Sequence, residues 1–274
     1  MTFLGFKHVK VSDLPLSYET ILLFLSYLNL KGLAPSTTTT YISAIGYVHK
    51  VCNVNDPTSQ FIVQKVLASI NKEYGKSDSR LPITQFILAR LLDSVDKVLS
   101  SIYHATLLKA MFLIAFYGLF RVGEITIQSS GVVSLNMDQI QIFKDRFELK
   151  ITKFKNNLTN KPFDIVIHKL DSPYCPYLGL LKYLQLRKLD NGPLFRFPDG
   201  KPVSRSFFAN RLKDCLIFCG LNPHLFKSHS FRIGGASFLA SIGKTDLQIK
   251  IIGRWSSDSF LRYIRNQKFD IFHK

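Results

Sequence analysis

Four side chains in this sequence could form one reactive site, in which three of them hold a phosphate group and the fourth is a nucleophile. Arg121 lies in the segment GLFRVGE, His229 and Arg232 are three residues apart, and Tyr263 follows. The guanidinium group of arginine forms two parallel hydrogen bonds to phosphate oxygens, so Arg121 and Arg232 could bind the two non-bridging oxygens of a phosphodiester. Three residues are close to one helical turn, which would bring His229 to the same phosphate. Tyr263 is then the candidate nucleophile.

The chemistry that these residue types support is displacement at phosphorus. Cations stabilise the pentacoordinate transition state, and an acid protonates the leaving oxygen. A tyrosine hydroxyl, with a pKa of about 10, needs positive charge nearby to ionise. Lys155 is the candidate acid, and Lys153 is the alternative. The resulting tyrosyl ester stores the energy of the broken bond, so this chemistry requires neither a metal nor a cofactor.

Each candidate also has an ordinary explanation. An arginine after an apolar helix is usually a solvated helix end, and a tyrosine such as Tyr263 is more often a half-buried packing residue. Trp255, the only tryptophan, is a core residue by default. Lys153 and Lys155 could be charges that protect the edge of a strand. The joint pattern, rather than any single residue, favours a phosphate site.

The charge of the chain indicates a polyanionic partner. Lys and Arg total 36 against 19 Asp and Glu, for a net charge of +17. Residues 1–79 contribute +2 of this and residues 80–274 contribute +15. An excess of lysine could simply keep a surface soluble. A charge of this size favours nucleic acid, and double-stranded DNA rather than a membrane is the predicted partner.

The cysteines and the apolar segments indicate the cellular compartment in which the protein is expected. The four cysteines form no CxxC pair, and Cys215 and Cys219 are predicted to be neighbours on one helix face rather than metal ligands. A reducing, intracellular environment fits best, and no secretory signal is visible. The stretch from Ala105 to Phe120 contains Lys109 and is shorter than the roughly 20 residues of a membrane span. It predicts a buried core helix.

Hydrophobic periodicity predicts a small helical domain at residues 1–79. Helices are expected over 16–30, from Pro35 onward, and over 61–70, followed by a polar linker over 71–80. The fold class of the whole chain is predicted to be mainly α with a small antiparallel sheet.

The second domain, residues 80–274, should position the candidate residues. Alternation of apolar and polar residues predicts three antiparallel strands around residues 140–142, 147–151 and 163–167, with Lys153 and Lys155 just before the second turn. Helices are predicted over 84–99, 103–119, 176–189, 204–219, 230–242 and 245–252, with a short one around Tyr263.

These motifs, in this order, resemble the tyrosine recombinases of the phage integrase family. The similarity places Arg121 in the first-arginine box, Lys155 on the hairpin, His229 and Arg232 in the HxxR box, and Tyr263 as the nucleophile. It implies a helical, SAM-like core-binding domain at 1–79 and a catalytic domain at 80–274. The implied activity is DNA strand cleavage and rejoining through a 3′-phosphotyrosine, in a homo-tetramer on two DNA sites that is monomeric or dimeric without DNA.

One position departs from the family pattern. The family usually has His or Trp nine residues before the nucleophile, whereas this chain has Arg254 there and Trp255 one step later. Either residue could be the sixth catalytic group, and Trp255 is the favoured candidate.

Segments 228–236, 253–258 and 262–265 are especially similar to the recombinases of DIRS-like and Crypton-like mobile elements, which implies a nuclear protein if the source is eukaryotic.

Three other functions share parts of the sequence pattern: those of a type IB topoisomerase, a catalytically silent DNA-binding protein of the same fold, and a helix-turn-helix regulator. The regulator would not need Arg121 or Tyr263, and a silent protein would usually have lost a catalytic side chain.

Overall fold

The computed structural model describes residues 2–3, 7–8, 14–74, 79–128, 131–133, 135–152 and 162–264. Contacts divide the chain into two compact units, Met1–Ser79 and Arg80–Lys274. Lys153 and Lys155, and the turn predicted to follow them, lie outside the described residues. No helix within the described ranges is long and apolar enough to cross a membrane.

The described residues of the first unit form three α-helices and one 3₁₀ helix, Pro57–Ser59. The α-helices are α1 (Tyr18–Leu30), α2 (Pro35–Val51) and α3 (Phe61–Tyr74), after a short antiparallel pair of β1 (Thr2–Phe3) and β2 (Lys7–His8). The hydroxyl of Ser17 caps α1, and Pro35 begins α2 where its missing N–H is not needed. The helices enclose a core of Ile21, Phe24, Leu25, Leu28, Ile42, Val63, Leu67 and Ile70.

The second unit surrounds α5, which is buried on nearly all sides. Its helices are α4 (Gln85–Val98), α5 (Ile102–Tyr117), α6 (Val122–Ile125), α7 (Pro176–Arg187), α8 (Arg205–Phe218), α9 (His229–Ser241) and α10 (Asp246–Ile252), and a 3₁₀ helix spans Asp258–Tyr263. All the predicted helices are present within a few residues of their expected ends. The four-residue α6 was not predicted, because so short a helix carries no periodicity.

A three-stranded antiparallel sheet completes the second unit, in the order β3 (Ile140–Ile142), β4 (Arg146–Ile151) and β5 (Phe163–His168). Leu149 pairs with Ile140 on one side and with Ile165 on the other. The buried residues of β4 alternate as the sequence predicts. The predicted class, mainly α with a small antiparallel sheet, is confirmed.

Two glycines let α9 approach the rest of the unit closely. A β-carbon on Gly234 would lie 1.8 Å from the carbonyl oxygen of Ile83, and one on Gly235 would lie 2.3 Å from that of Phe116. Any larger residue would push α9 outward. This contact brings the first turn of α9, with His229 and Arg232, against the segment that follows α5.

Candidate active site

The chain between α5 and α6 forms the floor of the candidate site. Leu119 adopts φ +50° although it is not a glycine, and its side chain is fully buried. This left-handed residue reverses the chain after α5 and directs its carbonyl group toward the arginines. Nη1 of Arg232 donates a hydrogen bond to this oxygen, and Nη2 of Arg254 donates another at 3.2 Å.

Arg121 is the most accessible of the three arginines at the site. It precedes α6, and 23% of its side chain is exposed. Its Nη1 donates to Oε1 of Glu124 at 3.0 Å, while its backbone N–H donates to Oε2 at 3.0 Å. The buried carboxylate therefore orients Arg121 and leaves part of its guanidinium group open to solvent.

Arg232 is completely buried in the first turn of α9. Its two terminal nitrogens donate to the carbonyl oxygens of Leu119 and Gly253, and its Nε has no hydrogen-bond partner among the described residues. Burial, followed by the positive charges of Arg121 and Arg254, lowers the pKa of Arg232 to about 9. The position is therefore one where added negative charge would be stabilised.

Trp255 covers Arg232. The guanidinium carbon of Arg232 lies 3.9 Å from the centre of the indole ring, and Trp255 is 9% exposed. Gly253 makes this arrangement possible, because a β-carbon there would come within 1.6 Å of the ring. No described residue accepts a hydrogen bond from the Trp255 indole.

Tyr263 ends the 3₁₀ helix beside these groups. Its ring centre lies 5.1 Å from that of His229 and 5.5 Å from that of Trp255. The hydroxyl of Ser237 on α9 donates to the Tyr263 carbonyl at 2.9 Å and fixes the backbone there. The structure thus brings together five of the six candidate residues, Arg121, His229, Arg232, Trp255 and Tyr263.

Arg254 is occupied by other contacts. It is buried, and its Nη2 donates to Oε2 of Glu124 at 2.9 Å. Its Nη1 donates to the carbonyl oxygens of Gly118 and Ile252 at 3.2 and 3.1 Å. Of the Arg254 guanidinium nitrogens, only Nε is left without a hydrogen-bond partner among the described residues.

Glu124 is the site residue to which sequence reasoning assigned no role. Burial raises its pKa, but the charges of Arg254 and Arg121 outweigh burial, so the pKa of this carboxyl is lowered. The sequence signal that could have identified it is its position three residues after Arg121 at a helix start, where a glutamate commonly bonds back to the first residue. Within the part of the chain that the structure describes, Glu124 is the one carboxylate paired with site arginines, and it pairs with Arg121 and Arg254 but not with Arg232.

The site therefore combines three guanidinium groups, one carboxylate and a tyrosine hydroxyl. Formally, two positive charges remain unpaired. Burying such a net charge is costly unless an anion enters the site. The arrangement is suited to an oxyanion that gains charge during a reaction, as a phosphodiester does on attack.

Comparison with known proteins points to one fold. No family model matches the chain. An integrase/recombinase XerD homolog of Selenomonas ruminantium is 26% identical in an alignment that covers 93% of this chain and 75% of that protein.

Three solved structures share the architecture. The XerH site-specific recombinase in a post-cleavage complex with a palindromic difH substrate superposes with a TM-score of 0.65 at 17% identity, covering 91% of this chain and 69% of that one. The Tn1549 transposon integrase in complex with circular intermediate DNA gives 0.63 at 15% identity, with coverage of 96% and 83%. A lambda integrase dimer on a core site gives 0.57 at 15% identity, with coverage of 94% and 68%.

Proposed function

We propose that this chain, which is similar to tyrosine recombinases, is a DNA site-specific recombinase that cleaves and rejoins strands through a 3′-phosphotyrosine intermediate. The observation that carries the proposal is the excess of positive charge at the site of Tyr263: two buried guanidinium groups and the partly exposed one of Arg121, against one carboxylate. When a phosphodiester is attacked and becomes a pentacoordinate phosphorane, its oxygens carry additional negative charge, which these guanidinium groups would stabilise. A generic DNA-binding surface would not need to bury its arginines around a tyrosine.

In the proposed mechanism, Arg121 and Arg232 bind the non-bridging oxygens, and Tyr263 releases its hydroxyl proton to solvent and attacks phosphorus. The bond between phosphorus and the 5′ oxygen breaks, and Lys155 gives its proton to that oxygen. His229, whose ring lies against that of Tyr263, binds the same phosphate. The freed 5′ hydroxyl of a second strand then attacks the phosphotyrosine, and the tyrosyl ester supplies the energy for resealing.

DNA entry would rearrange the cover of the site. Arg232 is fully buried under the indole of Trp255. For Arg232 to reach a phosphate, the ring has to move aside, and its N–H can then donate to the same phosphate. Trp255 is thus proposed as the sixth catalytic group, and Arg254 as the residue that positions Glu124 and the loop.

Several finer assignments belong to the same proposal. Residues 1–79 are proposed as a core-binding domain that closes on duplex DNA together with the catalytic domain at 80–274. The active form is proposed to be a homo-tetramer on two DNA sites, in an intracellular setting, and the element of origin to be DIRS-like or Crypton-like. The resemblance of the segments around His229 and Trp255 supports this origin.

Covalent trapping tests the activity directly. A nicked duplex that carries a candidate recombination site loses the short fragment after cleavage, so the protein stays attached to DNA. A denaturant-resistant protein–DNA band that maps to Tyr263 is the expected result. Relaxation of a supercoiled plasmid by a monomer, without any exchange between two DNA sites, would favour a type IB topoisomerase instead.

A further inference from the structure

We propose that Arg205 binds a DNA phosphate next to the scissile one, so that the cleaved strand is held at two consecutive points. This inference rests on the proposed function, because it assumes that a strand passes Arg121. It adds a binding residue outside the catalytic set. Arg205 is the first residue of α8 and is exposed.

The guanidinium group of Arg205 lies directly against α6. A β-carbon on Gly123 would come 2.2 Å from Nη2 of Arg205 and 3.0 Å from its Cζ. Gly123 is two residues from Arg121, so the two cations sit at one end of the same short helix. The absence of a side chain at Gly123 leaves the space that the Arg205 guanidinium fills.

The backbone of Arg205 is held in place relative to α6. The N–H of Ile127, just after α6, donates to the carbonyl of Val203 at 2.9 Å, and Ile127 also pairs with Ser204 in a parallel bridge. The hydroxyl of Ser204 caps α8 by accepting from the N–H of Phe207 at 3.1 Å. These contacts anchor the backbone that carries Arg205 to the segment after α6.

Arg205 has no hydrogen-bond acceptor among the described residues. It forms no hydrogen bond or ion pair in the described ranges of the chain. Several other arginines of this unit are paired with acids, among them Arg121 and Arg254 with Glu124, Arg146 with Glu148, Arg196 with Asp190 and Arg211 with Asp214. A guanidinium group that has no acid partner among the described residues, on an anchored backbone beside a phosphate-binding arginine, is suited to an outside anion.

The partner that this geometry fits is the sugar–phosphate backbone. Phosphates follow one another along a strand with a rise of about 3.4 Å, so a second cation next to Arg121 meets the neighbouring phosphate. A phosphate contact carries no sequence information but fixes the register of the strand. Contacts to the scissile phosphate and to its neighbour would together restrain the strand in front of Tyr263.

Salt dependence of DNA binding tests the contact. The probe is a fluorescent mixed-sequence duplex, and the affinity is measured by anisotropy over a range of salt concentrations. Arg205→Ala should reduce the slope of log affinity against log salt by about 1, the loss of one phosphate contact. Lys213→Ala removes the same charge from an exposed position two turns further along α8 and should leave the slope unchanged. Equal slopes for the two variants would overturn the proposal.

A double-variant cycle tests the role of Gly123. Gly123→Ala should displace the flexible Arg205 side chain and reduce the slope as Arg205→Ala does, whereas the double variant should be no weaker than Arg205→Ala alone. Additive losses would mean that the two residues act separately and would overturn the proposed geometry. Thermal unfolding of each variant establishes that the fold is kept. Absence of a covalent complex on the nicked duplex, with these slopes intact, would count against the proposed recombinase activity and not against Arg205.

Discussion

Glu124 and Arg254 form a buried ion pair, in which Nη2 of Arg254 donates to Oε2 of Glu124 at 2.9 Å. The other carboxylate oxygen accepts from Arg121 at 3.0 Å. One carboxylate thus joins the arginine box after α5 to the Gly253-Arg254-Trp255 turn after α10. Arg254 directly precedes Trp255 in this turn. The ion pair therefore also helps to fix the indole ring that covers Arg232. The departure from the family pattern at residue 254 therefore has a structural explanation.

Glu124→Gln should destabilise the fold by about 3 to 5 kcal/mol at neutral pH, because it leaves Arg254 buried without a counter-charge. The pKa of Glu124 is lowered by Arg254 and Arg121 against the effect of burial. Its ionised form therefore stabilises the folded chain above the ordinary glutamate pKa of 4.5, and this contribution is lost as the pH falls through the lower, folded value. Denaturant unfolding of both proteins between neutral pH and pH below 4.5 measures this, and the difference should shrink only in the acid range. A difference that is constant with pH would mean that the pair contributes nothing.

The elements that position the site were predictable because they carry strong periodic signals. The continuous apolar sequence of α5 and the apolar–polar alternation of β4 correspond to the residues that the structure buries. The 3₁₀ helix around Tyr263 also falls where a short helix was expected. Cys215 and Cys219 are neighbours one turn apart at the end of α8, as expected, since the N–H of Cys219 bonds to the carbonyl of Cys215 at 3.0 Å.

The interior of the site could not be read from the sequence in the same way. The left-handed φ of Leu119 has no glycine or asparagine to announce it. The ion pair of Glu124 joins residues 130 positions apart, and no local pattern reports such a contact. The stacking of Trp255 on Arg232 depends equally on the packing of α9. Residue types thus indicated side chains that the packing brings together, whereas the contacts of Glu124 and Arg254 are visible only in the tertiary structure.

Tyr263→Phe should abolish covalent attachment to DNA and keep DNA affinity close to that of the parent protein. The hydroxyl is the nucleophile but only a small part of the binding surface. Denaturing electrophoresis on the nicked duplex measures attachment, and anisotropy measures affinity. Tyr174→Phe, which removes a hydroxyl that bonds to Asp93, is the matched control and should still form the complex. Attachment by the Tyr263 variant would refute the assignment of the nucleophile.

Lys155→Ala should slow cleavage of an ordinary phosphodiester, because the leaving 5′ oxygen needs a proton. A substrate with sulfur at the 5′-bridging position has a better leaving group and should restore the rate. Single-turnover cleavage of the two substrates provides the comparison, with Lys153→Ala as the control. Rescue in the Lys153 variant instead would assign the acid to that position.

Trp255→Phe and Arg254→Ala should differ in what they impair. Replacing the indole removes one donor and should cost about 1 to 3 kcal/mol of transition-state stabilisation, seen as slower single-turnover cleavage. Removing the Arg254 guanidinium leaves Glu124 with one partner fewer in a buried position, so it should mainly lower the free energy of unfolding. If Arg254→Ala stays fully stable and loses cleavage more severely, the sixth catalytic group is Arg254. Small, equal effects on cleavage would exclude both residues from the catalytic set.

Binding of duplex DNA should change the fluorescence of the protein even before any strand is cut. Trp255 is the only tryptophan, and its ring lies 3.9 Å from the guanidinium carbon of Arg232. If Arg232 binds the scissile phosphate, the indole must leave this position, so its emission intensity and maximum should shift as DNA is added. The Tyr263→Phe variant should show the same shift, because the movement precedes chemistry. Unchanged emission at saturating DNA would mean that the ring remains over Arg232, and that this arginine supports the Leu119 and Gly253 carbonyls rather than the phosphate.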